Sequence, residues 1–115
     1  MNDSILDTIK TMLDISENDT AFDTEVIVLI NSAFSTLYQL GVGPSKCFNI
    51  SDSYDEWSDF LSDTLNLESV KKYIYMKVKV AFDGNNMSSA LLDVFNKSIQ
   101  EEEWRLNAAV ETKWD

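Results

Sequence analysis

The residue types that most often carry chemistry are scarce in this chain of 115 residues. It contains no histidine, which removes the usual general base, the usual zinc ligand and any histidine-assisted nucleophile. The single Cys47 therefore has no imidazole partner, and we expect it to be a small, buried or half-buried loop residue. Gly41 and Gly43 follow a predicted helix instead of preceding one, so they do not form a phosphate-binding loop. The sequence predicts no enzymatic activity and no cofactor.

One polar stretch, residues 14–25, has part of the spacing of a calcium-binding loop between two helices. Its oxygen-bearing side chains fall at loop positions 1, 3, 5, 7 and 12, and they are Asp14, Ser16, Asn18, Thr20 and Glu25. However, Asp19 stands where the loop needs a glycine for its sharp turn, and Ala21 stands where a β-branched residue is usual. The alternative is a polar connection that supplies helix caps. We favour that alternative and predict no metal.

The chain is strongly acidic, with a net charge of −11, and most of the excess acid is in its first half. Residues 1–66 hold twelve Asp and Glu against two Lys, a net of −10, whereas residues 67–115 hold eight acids against seven bases, a net of −1. The first half therefore has no basic face that could neutralise the phosphates of a duplex. Its acid is either an ordinary solvated surface, or a surface that repels nucleic acid or docks on a basic partner.

Length and composition indicate a single globular domain, 1–115, that needs neither disulfides nor metals to fold. Hydrophobic residues make up 44% of the chain, with three Gly and one Pro, which is typical of helices joined by short loops. The amino terminus has no basic segment followed by an apolar one, and no run of eighteen apolar residues occurs. We therefore expect a soluble protein that has no signal peptide and does not span a membrane.

Apolar spacing and cap residues predict two helices in the first part of the chain. The first is capped by Ser4 or Asp3 and extends through Ile15. The second spans roughly 21–40, has a broad apolar stripe and ends at Gly41, a residue type that commonly follows the last turn of a helix. We expect this long helix to be the central one of the fold.

Three further helices are predicted in the rest of the chain. Ser53 and Glu56 have the spacing of a capping box and would open a short helix. A fourth helix spans about 67–82, and the last is capped by Ser88 or Ser89. The fold class is therefore all-α: a small bundle of four to five helices with a long central helix and a long C-terminal helix.

Lys77 is a candidate contact residue because it falls in the middle of the apolar arc of the fourth helix, which contains Tyr73, Ile74, Val78 and Ala81. One interpretation is that its methylene stem lies along the core while the ammonium reaches water. The other is that this face meets a neighbouring subunit, where an acidic residue pairs with the amine.

The C-terminal helix carries two apolar faces. One of them contains Leu91, Leu92, Phe95, Ile99, Glu102 and Leu106. Trp104 lies nine residues after Phe95, about half a turn round the helix, so both faces cannot be buried in one small monomer. Glu101 and Arg105 form an i,i+4 pair beside it. Since Trp and Arg anchor many interfaces, we expect this second face to contact another protein, unless Trp104 folds back onto its own domain.

Four segments carry a resemblance to a known family. They are FDTEVIVLINSAFSTLYQLGVG, EWSDFL, LESVKKYIYMKVKVAFD and EEEWRLN. In this order, from about Ile5 to Asn107, the chain resembles the small head-tail connector, or adaptor, proteins of tailed bacteriophages, also described as phage DNA-packaging proteins. The most specific pieces are INSAFSTLYQLGVG, SVKKYIYMKVKVAFD and EWRLN. Relatives often have prolines where this chain has Asp83-Gly84-Asn85-Asn86, a difference that affects a loop.

The resemblance implies an all-α, noncatalytic virion protein. Such subunits assemble into a homo-oligomeric ring, dodecameric in the virion, beneath the portal protein in the neck of the particle. The ring extends the portal channel after DNA packaging, helps retain the genome, and gives a stopper or tail-completion protein its platform. The subunit would be made in the host cytoplasm. The sequence itself does not fix the number of subunits, because ring size depends on interface angles.

Within that ring, the resemblance gives roles to the candidate residues. Lys77, Glu101, Trp104 and Arg105 would contact a neighbouring subunit or the portal. The acidic first half would line or rim the channel, where repulsion of phosphates lets DNA slide without specific binding. The channel-facing acids would be Asp7, Asp14, Asp59 and Asp63.

The acidic composition also allows a function of another class. A free acidic binding protein, such as a phage-encoded inhibitor that mimics DNA charge, would occupy a basic host enzyme. Salt separates the two hypotheses, because a charge mimic loses its partner steeply as ionic strength rises, whereas an apolar ring contact is less sensitive.

Overall fold

The computed structural model of the chain describes residues 3–44, 46–60 and 64–113. It contains five helices: α1 (Ile5–Met12), α2 (Asp23–Gln39), α3 (Trp57–Phe60), α4 (Thr64–Asp83) and α5 (Ser89–Lys113). A short 3-10 turn, Gly84–Asn86, joins the last two. Within the described ranges no strand is present, and the only β-type pairing is an isolated antiparallel bridge between Ser4 and Glu56. The all-α prediction, including the long C-terminal helix, is confirmed.

Helix α1 begins as its sequence predicts but ends earlier. The Ser4 hydroxyl accepts a hydrogen bond from the Asp7 amide at 3.2 Å, which is the expected N-cap. The last helical residue is Met12, not Ile15, because Asp14 adopts a left-handed conformation with φ of 63°. The Ile15 amide then donates back to the Lys10 carbonyl at 2.8 Å, which closes a Schellman-type end.

Helix α2 ends at the predicted glycine. Gly41 has φ of 81°, its amide donates to the Tyr38 carbonyl, and the Val42 amide donates to the Leu37 carbonyl at 2.9 Å. This is the same Schellman arrangement, here with the residue type that adopts it without steric cost. Val42 is buried, so the turn returns the chain to the core.

The segment before α3 is organised differently from its prediction. The Ser53–Glu56 capping box is wrong, because the helix begins only at Trp57 and the Glu56 amide donates to the Asp59 carboxylate at 3.0 Å. Trp57 is fully buried, and its indole Nε1 donates to the Thr8 hydroxyl at 3.1 Å. The short helix therefore packs by Trp57 against α1 and by Phe60 against Phe34 of α2.

The loop from 46 to 56 covers one side of α2. The Asn31 side chain accepts a hydrogen bond from the Ile50 amide at 2.7 Å and donates to the Ile50 carbonyl at 3.0 Å. The rings of Phe34, Phe48 and Phe60 pack with centroids 4.7 to 5.4 Å apart. Cys47 lies in this loop as predicted but is exposed, so the expectation that it is buried or half-buried was wrong.

Helix α4, and not α2, is the helix that contacts all the other long helices. It packs against α1, α2 and α5. The predicted apolar arc is buried at Val70, Tyr73, Ile74 and Val78. Met76, outside that arc, is buried as well. Because α4 is apolar over more than one arc, it lies between its neighbours, whereas we had expected α2 in that position.

Helix α5 is capped by Ser88, whose hydroxyl accepts a hydrogen bond from the Leu91 amide at 3.1 Å. Its inner face is buried at Ile99, Glu102 and Leu106, as predicted, whereas Leu91 is 45% exposed and does not belong to that face. The Asn107 side chain donates to the Leu40 carbonyl at 3.2 Å, which joins α5 to the end of α2.

Candidate assembly surfaces

The seam between α4 and α5 is closed by polar contacts within the subunit. The buried Glu102 carboxylate lies 3.4 Å from the Lys72 ammonium, and the Tyr73 hydroxyl donates to the Glu103 carboxylate at 2.7 Å. The pKa of Tyr73 is raised well above its ordinary value, mainly because the phenol is buried. The hydrogen bond to Glu103 and the negative charge of Glu103 raise this pKa further. The opposite side of α5 has no neighbour among the residues that the structure describes, since Val94, Glu101 and Trp104 are exposed there.

The outer face of α5 carries the predicted contact residues. Trp104 is 72% exposed, so it does not fold back onto the described part of its own subunit. Val94 is also exposed, and the Arg105 guanidinium pairs with the Glu101 carboxylate on the same surface. A helical advance of 100° per residue places Val94, Glu101 and Trp104 on one stripe. The structure thus brings three of the four predicted interface residues together.

Lys77 lies apart from that stripe, in a groove formed by three helices. The groove has a volume of about 270 Å³. We call it the Lys77 groove, and its walls include Leu29 and Ala33 of α2, Lys77 and Ala81 of α4, and Asn96 and Ile99 of α5. The prediction that Lys77 lies on the apolar arc of α4 agrees with this position, since its neighbours in the groove are mostly apolar.

Lys77 also differs from the other cations of α4 and α5 in its partners. Those with described side chains pair with carboxylates: Lys71 with Glu68, Lys72 with Glu102, Lys79 with Asp83, Lys97 with Asp93, and Arg105 with Glu101 and Glu102. No carboxylate among the described residues lies within ion-pair distance of Lys77, which is half-buried. A half-buried cation in a mostly apolar groove is stabilised either by water that hydrates it or by an anionic group of another molecule.

The four predicted channel-facing acids do not form one cluster. Asp7 is half-buried in the first turn of α1, and Asp59 is exposed in α3, whose start is bridged to the start of α1. Asp14 is exposed beyond the other end of α1, roughly 10 Å further along the helix axis. Asp63 lies outside the described residues. The three described acids therefore extend along the length of α1 instead of surrounding a single point.

The stretch that had the calcium-loop spacing is held by a lysine. Lys10 is 1% exposed, and its ammonium lies 2.7 Å from the Asp23 carboxylate, at an angle that makes an ion pair rather than a directional hydrogen bond. The same ammonium donates to the Glu17 carbonyl at 3.2 Å. Two of the polar side chains cap backbone amides nearby, Ser16 for Asn18 and Asp19 for Ala21. The stretch is thus a polar connection organised around a cation of the chain itself.

Sequence reasoning missed one exposed residue of potential importance. Tyr54 is 86% exposed, more than any other large hydrophobic side chain that the structure describes. It lies in a turn whose amides are capped by acids: the Asp55 carboxylate accepts from Ser51 and Asp52, and the Asp52 carboxylate accepts from Tyr54. The sequence signal for an exposed Tyr54 was the dense run of Asp and Ser around this single aromatic residue, which is typical of a turn at the surface.

Comparison with known proteins identifies the class of molecule to which these surfaces belong. The family described as Phage connector protein matches residues 5–113, nearly the whole length of the chain. The chain belongs to this family. No curated protein and no solved structure gives a match to the chain.

Membership defines a structural role at the connector of a bacteriophage, associated with the portal in the virion. A structural family of this kind supports the expectation that the chain is not an enzyme.

Of the described residues, none form a helix that is both long enough and apolar enough to cross a membrane.

Proposed function

We propose that the chain is a noncatalytic subunit of a ring in the phage neck, directly beneath the portal, that joins the DNA-filled head to the tail and helps retain the packaged genome. The family match over residues 5–113 carries this proposal. The exposed outer face of α5 supports it, because a connector subunit needs apolar surface that its own fold does not cover.

Lys77, Glu101, Trp104 and Arg105 are the proposed contact residues toward neighbouring subunits or the portal. Trp104 supplies the largest apolar area, and Glu101 fixes the Arg105 guanidinium beside it. Tryptophan and arginine carry much of the binding energy of interfaces because they combine a large contact area with directed hydrogen bonds. The platform for a stopper or tail-completion protein would be a separate surface of the same ring.

The acidic residues Asp7, Asp14, Asp59 and Asp63 are the proposed lining or rim of the channel. The net charge of −10 on residues 1–66 would repel phosphates, so DNA could pass without specific binding. Virions that carry Asn at all four positions should release their DNA at an altered rate. If the release rate does not change, these residues do not line the channel.

Mass measurement of the purified chain, alone and with portal protein, tests the ring directly. We expect a defined multiple of the 13.1 kDa subunit on the portal. The Trp104→Ser variant should fold as before but fail to add to the portal. A chain that remains a monomer in the presence of portal would contradict the proposal.

A second candidate is a free acidic binding protein that mimics DNA charge, and the concentration of acid in residues 1–66 favours it. It predicts a basic protein as partner and an affinity that falls steeply with salt. Binding to the portal that changes little between low and high ionic strength would reject this candidate and leave the ring proposal.

A further inference from the structure

We propose that the Lys77 groove of one subunit receives the exposed turn around Tyr54 of a second copy of the chain, and that Glu56 of that copy pairs with Lys77. We call residues 51–56 the Tyr54 turn. The inference rests on the proposed ring, and it names the two surfaces that meet in one of its contacts.

The groove has the chemistry to receive an aromatic side chain together with a carboxylate. Leu29, Ala33 and Ile99 give it apolar walls, and a volume of about 270 Å³ is enough for a large side chain. Lys77 lines the groove, and no described carboxylate of its own subunit lies within ion-pair distance of its ammonium. A partner that fills the groove would therefore bring an apolar side chain for its walls and a negative charge for the Lys77 ammonium.

The Tyr54 turn offers the complementary chemistry in a rigid form. Tyr54 projects from it at 86% exposure, and Glu56 is exposed with no Lys or Arg of the described residues within ion-pair distance. The Asp52 and Asp55 carboxylates accept hydrogen bonds from backbone amides within the turn. The Ile5 amide also donates to the Asp55 carbonyl at 3.1 Å, which ties the turn to the start of α1. A turn that is fixed before binding loses little conformational entropy when it docks.

The two surfaces lie on opposite sides of α2. Leu29, Ser32 and Ala33 line the groove, whereas Asn31 and Phe34 hold the loop that leads to the Tyr54 turn. At 100° per residue these two sets of positions are close to half a turn apart. A projecting turn and a groove on opposite sides of a subunit make a head-to-tail contact that repeats from copy to copy. Such a contact closes into a ring when the rotation between successive copies completes a full turn. A two-fold dimer would instead use the same surface twice.

Engineered disulfides test the contact without disturbing the fold, because the changed positions are exposed. Cys47 is first replaced by Ser, and Ser51→Cys, which keeps Tyr54 and Glu56, and Ala81→Cys are then made in separate chains. Under conditions in which the native chain assembles, with portal if portal is required, we expect mixed chains to form one cross-linked pair of Ser51→Cys with Ala81→Cys. Each variant alone should stay uncross-linked, and a chain that carries both should form a ladder of covalent oligomers. Thr24→Cys, an exposed position of α2 outside both surfaces, replaces Ala81→Cys as the matched control.

Charge exchange tests the proposed ion pair. Lys77→Glu and Glu56→Lys should each weaken subunit association by about tenfold or more, since each places like charges together. The chain that carries both changes should regain most of the lost association, and Lys77→Arg should retain it. Loss in both single variants without recovery in the double variant would overturn the pairing.

The outcomes separate this inference from the proposed function. A ring that assembles on the portal with no Ser51→Cys to Ala81→Cys cross-link overturns the inference and leaves the proposed function standing. Cross-links between two Ala81→Cys chains, or from Ala81→Cys to portal protein alone, overturn it as well. If no assembly occurs with portal, both proposals are overturned.

Discussion

Two lysines show how differently two regions of this small protein are completed. In the connection between α1 and α2, Lys10 is buried and meets the Asp23 carboxylate and the Glu17 carbonyl of its own chain. In the groove between α2, α4 and α5, Lys77 meets no carboxylate that the structure describes. The first region is completed by contacts within one subunit, whereas the second has no counter-charge among the described residues. This difference supports the proposal that the second surface serves assembly.

The sharpest way to break this comparison is to replace each lysine by methionine, which keeps the length of the stem. Lys10→Met should lower the free energy of unfolding by about 2 to 3 kcal/mol, because it leaves the partly buried Asp23 carboxylate without its cation. Lys77→Met, the matched control, should change it by less than about 0.5 kcal/mol. Denaturant midpoints of the two variants measure the difference, and equal losses would show that both lysines serve the fold.

Tyr73 tests whether the seam between α4 and α5 is also completed within the subunit. Tyr73→Phe should cost about 1.5 kcal/mol at neutral pH, because the Glu103 carboxylate loses its hydrogen bond. Tyr75→Phe is the control, since Tyr75 packs edge-on against Phe95 and loses no hydrogen bond among the described residues. Urea unfolding of both variants gives the comparison.

The same residue predicts a pH dependence. The pKa of Tyr73 is raised in the folded protein, so the unfolded chain releases the phenolic proton first, and stability falls as the pH rises above the unfolded value of about 10. This part of the alkaline loss should be absent from Tyr73→Phe. An identical decline in both proteins between about pH 9 and 11 would place the ionising group elsewhere.

Replacing Asp14 with glycine should stabilise the connection between α1 and α2. Its φ of 63° is a conformation that costs a non-glycine residue about 1 kcal/mol, so Asp14→Gly should stabilise the fold by up to that amount and Asp14→Ala should not. Thermal midpoints should rise for the glycine variant. If they fall instead, the carboxylate contributes more than the backbone strain removes.

Trp104 should give the smallest effect on folding and a large one on assembly. Because the side chain is 72% exposed, Trp104→Ala should change the unfolding free energy of the monomer by less than about 0.5 kcal/mol. The mass of the assembled species should nevertheless fall toward that of the subunit. A strong loss of monomer stability would mean that Trp104 contributes to the core.

The helix ends could be predicted where few candidate caps lay close together. The candidates were Asp3 or Ser4, Gly41, and Ser88 or Ser89, and the structure uses Ser4, Gly41 and Ser88. The start of α3 could not be predicted in the same way, because several acids and serines compete within a few residues. The bond between the Ile5 amide and the Asp55 carbonyl contributes to the choice, and no local pattern contains it.

The assembly surfaces were predictable only in part. The exposure of Trp104 follows from its angular distance to the buried face of α5, which can be counted along one helix. The Lys77 groove can be predicted only when three helices are placed, and the broad apolar stripe of α2 led to the wrong prediction that α2, and not α4, lies in the middle. The partner of Lys10 lies thirteen residues further along the chain, at the start of α2, so its role in closing the connection was not visible from spacing.

The cation that holds the junction between α1 and α2, the Lys10 ammonium, is covalently part of the chain and cannot be lost when a particle leaves its host. Calcium-bridged connections open when a chelator removes the ion or when dilution lowers its concentration. The Lys10 ammonium can be neither chelated nor diluted, so we expect the junction between α1 and α2 to stay closed in EDTA and in fresh water alike. This ion pair holds the junction without drawing on divalent metal from the surroundings.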